Sequence, residues 1–186
     1  MNHTNDTKIS SWSIDPVHTT IGFSVRHMMV ANVRGEFQRV TGKVLYDAER
    51  PTATQVQAEV PADSVSTREP QRDAHLRSPD FFDVERHPTL SFRSTGVRFG
   101  GAGALELVGD LMIRGTTREV TLAVTELSGE QRDHNGRTRM GASATGKIKR
   151  SEFGITYNKV LEATRVAVGD EVTLLLDLSL LKDEAV

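Results

Sequence analysis

The sequence predicts an all-β protein, an eight-stranded closed antiparallel barrel with a short helical insert, about 67–88, at one rim. Three observations predict it. Apolar residues recur at every second position through most of the chain, which is the period of a half-buried strand. Turn-forming clusters interrupt these runs at short intervals, so each strand returns beside its neighbour. Only the stretch after Ser66-Thr67 loses the alternation.

In chain order, "HTTIGFSVRHMM" places Ile21, Phe23, Val25 and His27 on one face, against Gly22, Ser24 and Arg26 on the other. The run from Arg34 to Asp47 changes phase, with Phe37 on the odd register and Val44 and Tyr46 on the even one. A bulge near Gly42 reconciles them. Val56, Ala58 and Val60 then alternate with Gln55, Gln57 and Glu59, and further on Leu105, Leu107, Gly109, Leu111 and Ile113 line up. Val120, Leu122 and Val124 follow, and the last segment puts Val172, Leu174, Leu176, Leu178 and Leu180 on a single face. The separating turns read "ERPTA", "RFGGAG", "IRGTT" and "RDHNGR". Long strands that are apolar on one face suit a closed up-and-down barrel, which exposes no edge. The insert, "REPQRDAHLRSPDFF", holds about two helical turns between Pro70 and Pro79.

Bulk composition bounds the function. A chain of 186 residues is long enough for one domain with its own core, here 11–182 behind a disordered polar tail at 1–10. Apolar residues make up only 37%, as expected where each segment buries one face. The net charge of −2, with both signs interspersed, gives no electrostatic basis for a nucleic-acid partner. Absence of cysteine excludes thiol catalysis and thiolate metal sites, and no HExxH-type spacing collects the histidines, so no metal is expected. No apolar run has signal-peptide length or approaches a membrane span, so the expectation is a cytoplasmic protein, or a periplasmic one if a leader has been removed.

A barrel of eight strands is either filled by side chains or holds one small ligand. The inward positions are mainly Val, Leu, Ala and Gly, with Trp once and Tyr twice in the whole chain. Slender inward residues leave a tunnel if the barrel is wide enough and make a packed core if it is not; the pattern admits both. His27, continuing the Ile21–Phe23–Val25 face, is a candidate polar contact inside the channel or at its mouth, for instance to a quinone oxygen. The bland reading is a satisfied interior histidine.

Four stretches, "IDPVHTTIGFSVRHMMVANVRGEF", "RDAHLRSPDFFDVERHPTLSFRS", "LVGDLMIRGTTREVTL" and "IKRSEFGI", together resemble the YceI-like family over about Trp12 to Lys182. The resemblance implies a lipocalin-like barrel that binds a polyisoprenoid, an isoprenoid quinone or a similar long amphipathic lipid in a central apolar channel, often as a homodimer, with no defining catalytic activity and no cofactor. Matched motif by motif, it implies a channel wall that includes Phe23, Val25, Phe37, Phe92, Leu111, Ile113, Phe153 and Ile155. It implies a rim that includes His75, Leu76, Phe81 and Phe82.

The remaining candidates are read conservatively. Arg72 and Asp73 are expected in ion pairs tying the insert to the rim, and Arg150 in an ion pair near Phe153. Asp80 and Asp83 flank Phe81–Phe82, with rings expected inward and carboxylates in solvent. His18 is expected to be a structural hydrogen-bonder. No nucleophile elbow or phosphate loop occurs in the chain. The expected function is therefore sequestration or transport of a lipid. Alternatives are a carrier of fatty acid or fatty amide, a lipid-processing enzyme using His75 or His27, and an interaction protein with a filled barrel.

Overall fold

The computed structural model describes residues 9–158, 160–162 and 165–184. Eight staves close into one antiparallel ring, and three of them are broken into two strands. The first stave is β1 (Ile9–Ile14) with β2 (Thr20–His27), the second β3 (Ala31–Phe37) with β4 (Thr41–Asp47), and the third β5 (Gln55–Pro61) with β6 (Val65–Ser66). The insert follows as α1 (Pro70–Arg77). The other staves are β7 (Thr89–Phe99), β8 (Leu105–Ile113), β9 (Thr116–Leu127), β11 (Thr138–Lys149) and β14 (Val168–Lys182). Two-residue β10 (Gln131–Arg132) extends the hairpin into β11, while β12 (Val160–Glu162) and β13 (Arg165–Val166) form a small hairpin before β14. Ile9 and Ser10, expected in the tail, belong to β1; the rest of that tail lies outside the described residues.

Each break has a local cause. After Ile14, Pro16 offers no N–H to a ladder. There the Asp15 carboxylate accepts from the Val17 N–H at 3.1 Å and contacts His18 Nδ1 at 2.8 Å, holding the bend as an Asx turn, with His18 in the structural role expected of it. The third stave breaks after Pro61, where Ser64 Oγ donates to the Pro61 carbonyl at 2.6 Å. The second breaks at Gln38–Val40, so the phase change in this run is a three-residue interruption rather than a bulge near Gly42. Gly42 serves close packing instead: a Cβ there would lie 2.4 Å from the Gln57 carbonyl oxygen and 2.7 Å from Ile14 Cδ1.

β14, 15 residues long, closes the ring. One edge pairs with β11 from Glu171 to Leu181. The other pairs first with β2 over Val168–Asp177, then with β1 over Leu180–Lys182. At that second end a floor seals the barrel. Trp12, wholly buried, lies opposite Val44, and Leu180 lies between Ile14 and Met140 on the two neighbouring strands. The Trp12 indole Nε1 donates to Ser10 Oγ at 2.8 Å, so its one polar group is satisfied.

Candidate functional site: an apolar channel with a lid

Above the floor the inward side chains leave a cavity of about 230 Å³. For scale, an engineered apolar cavity of roughly 150 Å³ stays dry and takes up benzene. Along β14 the lining runs from Val168 to Leu178. At about 3.3 Å per residue and a tilt near 40°, that is roughly 25 Å of barrel axis. Drawn out over such a length, the volume is a slender bore suited to one extended chain.

Glycines keep the bore open. Phe23 faces Gly35 across the β2–β3 ladder, and a Cβ on Gly35 would lie 2.4 Å from Phe23 Cζ. A Cβ on Gly109 would likewise lie 2.5 Å from Phe92 Cζ. Both rings rest on bare backbone and hug the wall instead of crossing the axis.

The lid closes the end opposite the floor. Glu69 caps α1, accepting from the Gln71 and Arg72 N–H groups at 3.1 and 2.6 Å. Leu76 of α1 and the following Phe81 and Phe82 border the cavity, and Phe82 continues an aromatic chain to Phe37 and Phe23 with centroids 5.5 and 5.9 Å apart. Above them His75, Phe81 and Tyr157 form a triangle with centroid distances of 4.8–5.4 Å. Arg114, at φ 51° in the β8–β9 turn, donates to the Pro79 carbonyl at 2.8 Å and the Gly154 carbonyl at 2.5 Å, joining the two halves of the lid.

Eleven of the thirteen sequence-predicted site residues border this cavity: Phe23, Val25, Phe37, Leu76, Phe81, Phe82, Phe92, Leu111, Ile113, Phe153 and Ile155. Two do not. His27 is exposed, because it ends β2 just before Met28 and Met29 turn left-handed, at φ 52° and 58°, and carry the hairpin past the rim. It is neither an interior histidine nor a channel contact. His75 lies on the outer side of the lid, 41% exposed, with Nε2 2.8 Å from Asp80.

Other contacts also differ from expectation. Asp73 is buried and accepts from Thr67 N–H and Oγ1 at 2.7 and 2.5 Å, while Arg72 donates to the same hydroxyl and to the Thr67 carbonyl. The insert is thus tied down through Thr67 and not by an Arg72 or Asp73 ion pair, since a hydroxyl flanked by both satisfies both. Asp83, at φ 51°, is buried, whereas Asp80 stays in solvent. Arg150 has no carboxylate within ion-pair distance among the described residues. Its guanidinium donates to four carbonyls: Nε to Gly169 at 2.9 Å, Nη1 to Ile155 at 3.0 Å and Tyr157 at 2.8 Å, and Nη2 to Val168 at 3.3 Å. Burial pushes its pKa down, with Asp170 opposing. The sequence reading missed Tyr157, which sits in coil without periodicity, and Arg114.

With the geometry in place, comparison with known proteins decides the kinship. A model of the YceI-like domain matches residues 12–180. The chain belongs to the YceI-like family. A "UPF0312 protein" of Ectopseudomonas mendocina is 35% identical over 139 residues, covering 75% of this chain and 72% of that one. Among solved structures, BcnA of Burkholderia cenocepacia superposes with a TM-score of 0.77 at 20% identity, covering 89% of this chain and 98% of that one. A polyisoprenoid binding domain from Saccharophagus degradans, implicated in plant cell wall breakdown, gives 0.63 at 14% identity over 95% of this chain and all of that one. These YceI-like and neighbouring structures share the closed barrel, so the lipocalin-like architecture expected of the sequence stands.

Proposed function

We propose that this protein binds and sequesters a long amphipathic lipid of the polyisoprenoid or isoprenoid-quinone class, tail inside the barrel, and carries it without chemical change. The observation that carries this reading is the cavity itself: closed by a floor, slender and bounded almost entirely by apolar side chains. Each buried CH₂ contributes about 0.8 kcal/mol. Several isoprene units therefore supply well over ~10 kcal/mol, much of it offset by ordering a flexible tail. Likeness of fold to the Saccharophagus degradans polyisoprenoid binding domain supports the ligand class.

A binding role also fits the polar inventory. Among the cavity-lining residues only Ser91 and Arg150 carry polar side chains, and among the described residues neither hydrogen-bonds to a carboxylate or imidazole that could act as acid or base. His75, the enzymatic candidate of the rim, is engaged by Asp80 outside the cavity.

Mass spectrometry of an organic extract of natively purified protein, beside the intact native mass, tests the proposal. The expected result is one lipid per chain with an isoprenoid mass ladder. A fatty acid or amide would keep the carrier and remove the isoprenoid class. An empty protein that also refuses added prenyl lipids and quinones would overturn the reading.

A further inference from the structure

The tip of the β2–β3 hairpin is built against the ordinary rules for such a turn. Val30 N–H donates to the His27 carbonyl at 3.0 Å, leaving Met28 and Met29 as the central residues, both left-handed at φ 52° and 58°. Two left-handed residues make a type I′ turn, which favours Asn-Gly because the Cβ of any other residue crowds the following carbonyl oxygen. The β8–β9 turn obeys the rule in part, setting Gly115 at φ 71° beside Arg114, whose side chain ties the lid. At the β2–β3 tip neither central residue is glycine, and the side chains stand in solvent. Met28, Met29 and Val30 are 48%, 61% and 81% exposed. The other exposed large apolar residues among those described occur singly along the sequence, which is ordinary. A strained turn that also presents three consecutive apolar side chains to water calls for a partner outside the chain.

Position and charge say which partner. The tip stands at the lid end, with the Met28 N–H held by the Ala167 carbonyl at 2.8 Å, next to cavity-lining Val168. β3 meets the third stave only at Glu36 and Phe37, so the hairpin runs on past the end of that stave. From Ser24 to Gly35 it carries Arg26, His27 and Arg34, all exposed, and no acidic residue. Arg26 lies along the turn, donating to the Met29 carbonyl at 3.3 Å and to Asn32 Oδ1 at 3.5 Å. We propose that this tip docks on an anionic lipid surface, with Met28, Met29 and Val30 dipping among the acyl chains while Arg26 and Arg34 meet the head groups. The proposal rests on the lipid-carrier reading above, since a carrier must meet the bilayer that supplies or receives its cargo, lid end down. An apolar tip flanked by cations matches the boundary between acyl chains and anionic heads. Three side chains cover far less than the ~800 Å² that each partner gives to a stable protein interface. They suit the shallow, reversible contact of a protein that must also leave the membrane.

The test is co-sedimentation of delipidated protein with two sets of vesicles, pure phosphatidylcholine and an about 3:1 mixture of phosphatidylcholine and phosphatidylglycerol. Wild-type protein is expected to partition at least about fivefold better onto the anionic set, roughly the factor that one basic residue near such a surface supplies. Met28→Asn combined with Met29→Gly gives the turn the residues it favours, so this variant should fold at least as stably as wild type. Its partitioning onto both sets should nevertheless fall about tenfold or more. Arg26→Gln combined with Arg34→Gln should erase the preference for the anionic set and leave binding to pure phosphatidylcholine unchanged. Wild-type protein that stays in the supernatant with both sets overturns the inference, as does a double methionine variant that sediments like wild type. A dimer in native mass that the double methionine variant disperses would assign the tip to a second copy and overturn it equally. No cargo is present in these measurements, so their failure is distinct from failure of the carrier reading, which shows as refusal of prenyl lipids and quinones by the cavity.

Discussion

The two ends of the barrel are built by opposite means. The floor end combines a wholly buried indole with ionic ties. Asp15 accepts from Arg139 at 2.5 Å, Arg139 also donates to Asp133 at 2.8 Å, and Asp183 gathers Ser11, Ser13 and Lys43 at 2.5, 2.6 and 2.9 Å. Those ties join the bend after β1 to the β10–β11 hairpin, and the residue after β14 to β1 and β4. The lid end, by contrast, covers the cavity with partly buried Leu76, Phe81, Phe82 and Tyr157, held by edge contacts and by arginine-to-carbonyl bonds. Its buried polar groups Asp73 and Arg150 bond to Thr67 and to backbone carbonyls instead of forming ion pairs among the described residues. Packed, ion-paired structure opens only near the global unfolding free energy, whereas a cover with few buried contacts opens at low cost. On that contrast the lid, rather than the floor, is expected to open first, which the measurements below test.

Four measurements sharpen or break that contrast. Trp12→Ala should cost about 3–5 kcal/mol in denaturant unfolding, since it hollows the floor where the surrounding strands cannot collapse. A loss below about 1 kcal/mol would mean the floor is not a fixed point. Asp15→Asn should cost about 2 kcal/mol at pH 7, by weakening charge-assisted bonds to Arg139 and His18. Burial raises the Asp15 pKa, but bonds from Arg139 and His18 outweigh it and hold the carboxyl at about 2. Since that value is depressed below the unfolded one, the stabilisation is present above about pH 4 and vanishes as pH falls toward 2. The cost of Asp15→Asn should therefore shrink across that window, and a pH-independent difference would sink the ionic account of the floor. Asp183, held at about 2 by Ser11, Ser13 and Lys43, should follow the same course.

At the lid, Phe81→Ala should cost only about 1 kcal/mol, less than a fully buried ring, because its contacts are partial. Its main effect should be kinetic, with bound lipid leaving about tenfold faster in stopped-flow exchange. A large stability loss with unchanged release would reverse the roles of the two ends. Arg98→Ala, on the outer wall where Arg98 meets Glu106 at 2.9 Å with the arginine 62% exposed, should change stability by less than ~0.5 kcal/mol.

Alternation along a strand reports which face a side chain occupies, and that is why the staves and most of the wall were legible: Phe23, Val25, Leu111 and Ile113 follow from period two alone. It does not report height along the axis. His27 shares the parity of Val25 yet stands beyond the rim, and Trp12, wholly buried, does not border the cavity. Contacts made by coil were illegible for a different reason. The Arg150 cradle, the Tyr157 stack and the Thr67 tie depend on where loops meet carbonyls, and no residue period encodes that. One sequence signal did stand out: "KRSEFGI" sets arginine three residues before a Phe–Gly–Ile run whose Phe153 and Ile155 are bound for the interior.

The dependence of the ring on β14 has a temporal consequence. No barrel exists until the last of its strands in chain order has docked between β11 and the β1–β2 stave, joining segments from opposite ends of the described chain. Such non-local closure places folding in the slow range, roughly milliseconds to seconds. Until then two long edges stay unpaired and the lipid-facing side of every stave is open to water, so a ribosome-bound or truncated chain lacking Val168–Lys182 is an aggregation hazard and not a smaller barrel.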